Sequence, residues 1–256
     1  MTFENAFAGL AGPIPVGTWI KLSATESIEA MAHAGFDFVV IDLEHTLLSA
    51  ETAARHIALA SALGMRPLVR VPDHTPSTVQ RLLDAGAGGI LFPHVDDART
   101  AGEVAAATRF PPHGRRGSGG TSRAGEWGTL PRSEYLRRGN EDVLCLPQLE
   151  SRAAIEAVDD ILAVDGVDGV FVGAADLALD LGLPGGDPEI KKLVERVSEA
   201  ARRAGKPSGV AYGSDVQGLD RAVRNGHGFV ILGNDASLLV EAASGLLDGA
   251  RSAVTA

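Results

Sequence analysis

The sequence predicts a (β/α)8 TIM barrel of the α/β class, folded as one domain, and three observations lead to this prediction. Eight short apolar runs are spread along the chain, a helix-length stretch with apolar residues at helical spacing follows each run, and 256 residues suit a single barrel. A doubly wound open sheet is the alternative. It is disfavoured because no G-x-G-x-x-G fingerprint follows the first strand, where Gly17-Thr18-Trp19 lies within the strand itself.

Each predicted strand is a run of β-branched or apolar residues bounded by glycine, proline or polar residues. The runs are continuous rather than alternating, which is typical of parallel strands buried on both faces. The predicted strands are Val16–Ile20, Phe38–Ile41, Pro67–Val71, Gly89–Phe92, Val143–Leu146, Gly169–Val172, Ser208–Ala211 and Phe229–Leu232.

The predicted helices have recognisable starts and ends. Ser49 and Asp187-Pro188 are N-terminal cap signals. Glycines that suit the left-handed position after a helix are Gly35, Gly64, Gly86, Gly205 and Gly226. The predicted helices are Thr25–His33, Ala50–Leu63, Pro76–Leu83, Ala98–Thr108, Arg152–Ala163, Pro188–Ala204, Asp215–Arg224 and Ala236–Leu247.

An irregular segment rich in arginine and glycine, at about 110–142, interrupts this pattern. One interpretation is a solvated insertion. The other is a lid, or a segment docked on a neighbouring subunit, in which backbone amides around Arg116-Gly117-Ser118-Gly119 hold a carboxylate or phosphate.

Composition predicts a soluble, cytoplasmic protein with a small-molecule partner. The 23 Lys and Arg against 33 Asp and Glu give a net charge of −10, which disfavours nucleic acid and anionic membranes as partners. No apolar stretch is long enough to span a membrane, and the amino terminus lacks the pattern of a signal peptide. The single cysteine, Cys145, lies in an apolar run and is interpreted as a buried structural thiol.

Charged residues follow three of the apolar runs, and the carboxyl ends of barrel strands converge on one face. Glu150 and Asp176 follow two successive predicted strands, and paired carboxylates are typical ligands of a hard divalent cation. We therefore predict that these two acids bind a metal ion. The alternative is that each one caps the helix that follows it.

Basic residues at the same end of the barrel complete the predicted site. Arg70 ends a buried strand, where it can bind a carboxylate or an oxyanion, or alternatively pair with Asp42 or Glu44. His45 follows Asp42 by three residues and is the best candidate for a catalytic base. His94, at the end of the fourth strand, is a further candidate to line the site.

Six segments together resemble the HpcH/HpaI aldolases, the metal-dependent, class II pyruvate aldolases. The resemblance extends from Gly17 to Gly233, so it covers most of the chain. Ala174, where proline is frequent, and Leu43, where some members have glycine, are small departures. The segments that carry it are Val40–His45, Pro67–Arg70, Leu82–Gly86, Arg109–Gly117, Gln148–Glu150 and Gly166–Leu177.

The resemblance implies a role for each predicted site residue. Glu150 and Asp176 would hold Mg²⁺, Mn²⁺ or Co²⁺, which chelates pyruvate, and Gln148 and the backbone around Ala175 would position the pyruvate. Arg70 would stabilise the enolate oxygen and the aldehyde carbonyl. The proton-transfer group would be His45, assisted by Asp42 and Asp84, and Trp19 would help to shape the aldehyde pocket.

The reaction implied is the reversible cleavage of a 4-hydroxy-2-oxo acid to pyruvate and an aldehyde, in the bacterial catabolism of aromatic compounds or sugar acids. The assembly implied is a homo-hexamer, a trimer of domain-swapped dimers, in which the C-terminal helix is exchanged with a neighbouring subunit.

Several other functions stay open from the sequence. A lyase for coenzyme A esters or an oxaloacetate decarboxylase would use the same metal enolate, and a 2-oxo acid binding protein would need no base. A Schiff-base aldolase would need a lysine at the mouth of the barrel, where Lys21 alone is near a strand end. A zinc hydrolase is disfavoured because the chain has no H-x-H or C-x-x-C spacing.

Overall fold

Eight parallel strands close into a barrel in chain order, β1 to β8, in the computed structural model, which describes residue 7 and residues 12–255. The predicted TIM barrel is therefore confirmed. The predicted domain bounds of 1–256 include residues 1–6, 8–11 and 256, which lie outside the described residues. The strands are β1 Val16–Ile20, β2 Phe38–Asp42, β3 Arg66–Arg70, β4 Gly89–Phe92, β5 Leu144–Leu149, β6 Val170–Val172, β7 Ser208–Tyr212 and β8 Phe229–Asn234.

The helices surround the barrel and connect its strands. The α-helices are α1 Thr25–Ala34, α2 Ala50–Ala62, α3 Pro76–Asp84, α4 Ala98–Thr108, α5 Arg132–Glu141, α6 Arg152–Glu156, α7 Val158–Leu162, α8 Ala174–Asp180, α9 Pro188–Arg203, α10 Gly218–Arg224 and α11 Asp235–Thr255. A 3₁₀ helix, Arg123–Gly128, precedes α5.

Several helices differ from the predictions. The predicted helix 152–163 is divided into α6 and α7 at Ala157, where ψ is 6°. The irregular segment contains the 3₁₀ helix and α5, and the short α8 was not predicted. At the end of the chain, α11 continues to Thr255, well past the predicted end at Leu247.

The predicted helix caps are confirmed. The side chain of Ser49 accepts a hydrogen bond from the backbone of Thr52, and that of Asp187 accepts one from Glu189. All five predicted C-terminal glycines have φ between 66° and 99°. They are Gly35, Gly64, Gly86, Gly205 and Gly226.

Aromatic rings fill the interior of the barrel. Phe171 stacks on Phe229 with a centroid distance of 6.2 Å, and Phe38 meets Phe229 edge-on at the same distance. Gly209 makes room for this layer, because a Cβ atom there would lie 2.1 Å from the ring of Phe229. Trp19 packs edge-on against Phe171 at 5.9 Å. We call the layer of Phe38, Phe171 and Phe229 the phenyl layer, and Trp19 covers it on the side of the strand ends.

His227 is a buried histidine that should make the fold sensitive to acid. Burial lowers its pKa to about 4, from the usual 6.5. Between these values the unfolded chain binds a proton that the folded chain does not. The free energy of unfolding should therefore fall by roughly 3 kcal/mol as the pH is lowered from 6.5 to 4.

The substitution His227→Gln should flatten this part of the curve of unfolding free energy against pH, measured by urea denaturation. Gln preserves a polar group beside Ser208, whose hydroxyl lies 2.9 Å from His227 Nδ1. The exposed His33, substituted in the same way, provides the control. Equal slopes for wild type and His227→Gln would contradict the assignment.

Two regions bear on the predicted contacts between subunits, namely the irregular segment at about 110–142 and helix α11. Arg116, in the irregular segment, is buried, stacks over the ring of Phe110 at 4.5 Å and forms an ion pair with Asp84. Along α11, apolar side chains including Leu239 and Leu246 are exposed. Among the described helices, none combines the length and apolarity that crossing a bilayer requires.

Candidate active site

Asp42 and Arg70 form the centre of the site at the carboxyl ends of β2 and β3. The parallel register places these two residues beside each other. The guanidinium of Arg70 donates two hydrogen bonds to the buried carboxylate of Asp42, at 3.0 and 2.8 Å. The ammonium of Lys21, from the end of β1, donates a third at 2.6 Å.

These contacts determine the charge of Asp42. Burial by itself would raise the pKa of this carboxyl group, but the hydrogen bonds and charges of Arg70 and Lys21 outweigh it and bring the pKa to about 2. Asp42 therefore stays ionised at neutral pH and is unsuited to accept a proton. Its contacts assign it to holding the two cations in place.

The loop after β2 is also fixed by Asp42. Its Oδ1 accepts hydrogen bonds from the backbone amides of Glu44 and His45, at 3.1 and 3.2 Å. The ring of His45 is more than half exposed, and its Nε2 lies 3.5 Å from Glu44 Oε2. Asp42 thus contacts the backbone of His45, while the neighbour of the imidazole is Glu44.

Glu44 contacts both Arg70, at the end of β3, and His94, after β4. Its Oε2 lies 3.1 Å from Arg70 Nη1, and its Oε1 lies 3.3 Å from His94 Nε2. Arg70 therefore pairs with both of the acids that are predicted as its alternative partners, Asp42 and Glu44. Burial raises the pKa of Glu44, against the opposing charge of Arg70. Glu44 is not among the predicted catalytic residues, although its position two residues after the end of β2 is a signal for such a role.

Glu150 is buried and holds His94 at the end of β4. The backbone amide of His94 donates to Glu150 Oε1 at 2.7 Å, and His94 Nδ1 lies 2.7 Å from the same oxygen. His94 has a φ of 53°, an unusual conformation for a residue other than glycine. Ligand atoms of Glu44, His94 and Glu150 lie within 4.8 Å of one another and form a group able to hold a metal ion.

The second oxygen of Glu150 faces β6. Gln148 Nε2 donates a hydrogen bond to Glu150 Oε2. A Cβ atom on Gly173 would lie 2.8 Å from the same oxygen, so a larger residue would fill this space. Asp176 follows in the first turn of α8. The helix-cap alternative is wrong for both acids, because the N-cap residues are Ser151 and Gly173.

A pocket of about 540 Å³ opens at this end of the barrel. It brings together six of the predicted site residues and is floored by Trp19 and Phe171. The indole of Trp19 also lies under the guanidinium of Arg70, 4.2 Å from its carbon. The predicted site residues that line the pocket are Trp19, His45, Arg70, Gln148, Ala175 and Asp176.

The sequence model of the HpcH/HpaI aldolase/citrate lyase family matches residues 16–242. The chain belongs to this family. The resemblance inferred from its motifs is confirmed, and the family and its named relatives identify the chain as an aldolase, a carbon–carbon lyase.

Three relatives of this HpcH/HpaI aldolase illustrate the similarity. A 4-hydroxy-2-oxo-heptane-1,7-dioate aldolase of Shigella sonnei is 38% identical over 95% of this chain and 94% of its own. The crystal structure of an HpcH/HpaI aldolase from Desulfitobacterium hafniense is 32% identical, with a TM-score of 0.88 over 97% of this chain and 96% of its own. A family member from Burkholderia cenocepacia is 34% identical, with a TM-score of 0.87 over 93% and 95% of the two chains.

Asp84 is the one predicted site residue of this HpcH/HpaI aldolase that lies far from the pocket within the chain. It ends α3, next to the turn that leads into β4, and therefore at the amino end of the strands. Its carboxylate accepts a hydrogen bond from Arg116 at 2.8 Å. A catalytic role for Asp84 remains a prediction, and it requires a site other than the pocket of its own barrel.

The position of Lys21 bears on the Schiff-base alternative. A lysine nucleophile must lose its proton before it can attack a carbonyl group. Lys21 instead forms an ion pair with Asp42 at 2.6 Å, which holds its side chain against β2. The surroundings of Lys21 thus favour a binding role over a nucleophilic one.

Proposed function

We propose that this enzyme reversibly cleaves a 4-hydroxy-2-oxo acid to pyruvate and an aldehyde, with the help of a divalent metal ion. The proposal depends chiefly on Glu150. This residue is buried and lies next to Gln148 and Gly173. Gly173 begins the turn that carries Asp176. Arg70 lines the same pocket as Gln148 and Asp176. One cavity is therefore lined by Arg70, which can bind an anion, by Asp176, which can bind a cation, and by His45, the candidate base.

The residues around Glu150 fit a hard divalent cation. Gln148 is buried, and among the described residues its Oε1 has no hydrogen-bond partner. Gly173 has no side chain, which lets Glu150 Oε2 lie close to the backbone at the start of the turn that carries Asp176, since a Cβ atom there would be only 2.8 Å from this oxygen. We assign Glu150 and Asp176 as the protein ligands, with Mg²⁺, Mn²⁺ or Co²⁺ as the ion. When bound, the ion supplies stabilisation of the negative charge that develops on the keto oxygen.

The protein groups would divide the remaining work. Cleavage begins when the C4 hydroxyl group gives its proton, through water, to His45. The C3–C4 bond then breaks, its electron pair forms the pyruvate enolate, and the aldehyde carbonyl appears at C4. Arg70 donates hydrogen bonds to the oxygens on which charge changes. The proton that His45 accepted then returns through water to C3 of the enolate, which completes pyruvate and restores the base.

Glu44 would assist His45, since it is the carboxylate nearest to the imidazole. Gln148 and the amide backbone around Ala175 would position the pyruvate part. Asp84 would act across a subunit interface, because it lies at the wrong end of its own barrel. The hexameric assembly, the exchange of α11 between subunits and a cytoplasmic location belong to the same proposal. The exposed apolar side chains of α11 support a subunit contact there.

Metal dependence provides the direct test. Pyruvate release should be followed by a coupled assay with 4-hydroxy-2-oxoheptanedioate and 2-dehydro-3-deoxyglucarate, before and after treatment with a chelator. We expect turnover to be abolished by the chelator and restored by Mn²⁺, Mg²⁺ or Co²⁺. Full turnover after chelation, together with trapping of pyruvate on the protein by borohydride, would contradict the proposal and favour a Schiff base.

A crystal structure of the citrate synthase SbnG, 28% identical to this chain with a TM-score of 0.86, supports a second candidate within the same chemistry. The panel should therefore include oxaloacetate and an acyl coenzyme A. Faster turnover of either one than of the hydroxy-oxo acids would assign the enzyme to a related reaction.

A further inference from the structure

A cluster of Glu44, His94 and Glu150 lies between the carboxyl ends of three strands. Its members follow β2, β4 and β5 in turn. Each offers one ligand atom, and these atoms lie within 4.8 Å of one another. The cluster therefore combines an imidazole nitrogen with two carboxylates, which is a donor set that transition-metal cations prefer.

The spacing within the cluster suits a tetrahedral cation. Bond lengths of about 2.0–2.2 Å to nitrogen and oxygen place the ligand atoms of a tetrahedral zinc ion roughly 3.3 Å apart. His94 Nε2 lies 3.3 Å from Glu44 Oε1, and His94 Nδ1 lies 2.7 Å from Glu150 Oε1. The side chain of His94 is 67% exposed, so its ring can turn towards an ion and leave a fourth position to water.

The carboxylate of Glu44 is nearly buried and incompletely satisfied. Its side chain is 10% exposed. The buried Oε2 lies 3.1 Å from Arg70 Nη1, yet it accepts no hydrogen bond among the described residues. A buried oxygen in this state is costly unless a bound ion or ligand satisfies it. The two carboxylates of the cluster also carry the charge that a divalent cation neutralises.

The cluster uses a different oxygen of Glu150 from the metal site assigned above. Glu150 Oε1 accepts a hydrogen bond from the His94 amide and faces the His94 ring. Oε2 of the same carboxylate faces Gln148 and Gly173. The assigned site, which includes Asp176, offers oxygen ligands that suit Mg²⁺ and Mn²⁺, whereas an imidazole nitrogen favours Zn²⁺. The two oxygens of Glu150 can therefore serve two different kinds of cation.

From this geometry we propose that Glu44, His94 and Glu150 form a second divalent-cation site, selective for Zn²⁺ and similar ions, and that its occupation inhibits the enzyme. The bound ion engages the carboxylate of Glu44, which lies 3.5 Å from His45 Nε2. The candidate base thereby loses its nearest carboxylate. Binding of the ion is independent of the proposed aldolase function, whereas the inhibition rests on that function.

The test compares the zinc content of wild type and His94→Asn after dialysis against excess Zn²⁺ in the presence of saturating Mg²⁺. Asparagine lacks the imidazole nitrogen but tolerates the left-handed backbone at this position, where φ is 53°. Wild type should retain one zinc ion more per chain than the variant. Glu44→Gln should lose the same ion, and the exposed His33→Asn should retain it.

Turnover provides a second readout. The concentration of Zn²⁺ that halves the rate with Mn²⁺ and a hydroxy-oxo acid should rise by roughly 10- to 100-fold in His94→Asn. Each protein is compared with its own rate in the absence of zinc. This comparison separates the effect of the second ion from any effect of the substitution on turnover itself.

The outcomes separate the two proposals. Equal zinc contents of wild type and both cluster variants would overturn the second site and leave the aldolase function in place. An extra zinc ion without inhibition would overturn its inhibitory role. If no hydroxy-oxo acid is turned over, the proposed function fails, while the zinc content still decides whether the second site exists. Thermal melts by circular dichroism verify folding, and Glu44→Gln carries the test if His94→Asn does not fold.

Discussion

Glu150→Gln is expected to lose nearly all lyase activity, with kcat lower by roughly 10³-fold or more. The substitution removes one of the two proposed charges on the metal ion. It also disturbs the local hydrogen bonds, since both oxygens of Glu150 accept bonds, from the His94 amide and from Gln148. A Gln side chain must turn its NH₂ group towards one of these donors.

Metal affinity, measured by titration calorimetry with Mn²⁺, should weaken by at least about 100-fold in this variant. Glu150→Asp keeps the charge but shortens the side chain, and it should recover part of the affinity. The matched control is Glu156→Gln, on the exposed side of α6. Unchanged turnover and Mn²⁺ affinity in Glu150→Gln would remove Glu150 from the site and with it the proposed function.

Arg70→Lys is expected to lower kcat by roughly 10²- to 10³-fold while the affinity for Mn²⁺ stays close to that of the wild type. Lysine keeps the positive charge but lacks the planar fork that contacts Asp42 with two donors and Glu44 with a third. The substitution should therefore weaken the stabilisation of the charged oxygens in the transition state. The guanidinium does not contact Glu150, so the metal ligand should be undisturbed.

The control for Arg70 is Arg55→Lys, an exposed ion-paired residue of α2. A combined loss of kcat and of Mn²⁺ affinity in Arg70→Lys would show that the residue supports the metal site rather than the reacting oxygens. Wild-type kcat would exclude Arg70 from the reaction.

The barrel could be predicted because its signals are local. Apolar runs of strand length, caps such as Ser49 and glycines such as Gly86 each determine a short piece of backbone. The order of strand and helix then leaves few topologies. The division of the predicted helix 152–163 and the presence of α8 could not be predicted in this way, because five- and seven-residue helices depend on packing rather than on periodicity.

The site could be predicted in outline because parallel strands bring their carboxyl ends together. The approach of Arg70 to Asp42 follows directly from the register of β2 and β3. His94 is predicted as a candidate to line the site, but its contact with Glu150 could not be predicted, because it depends on a left-handed backbone conformation that Glu150 holds from another strand. Asp84 is predicted as a site residue, but its place at the amino end of the strands, far from the pocket of its own barrel, is not.

The phenyl layer has a consequence for how molecules enter and leave. Phe38, Phe171 and Phe229 pack together in the middle of the barrel below Trp19, so a bound molecule cannot pass through the barrel and has to leave on the side of the strand ends. After cleavage the aldehyde lies nearer the entrance than pyruvate, so the aldehyde must leave before pyruvate can. Pyruvate should accordingly be the last product released, and inhibition by pyruvate should be competitive with the hydroxy-oxo acid, whereas the aldehyde should give a mixed pattern.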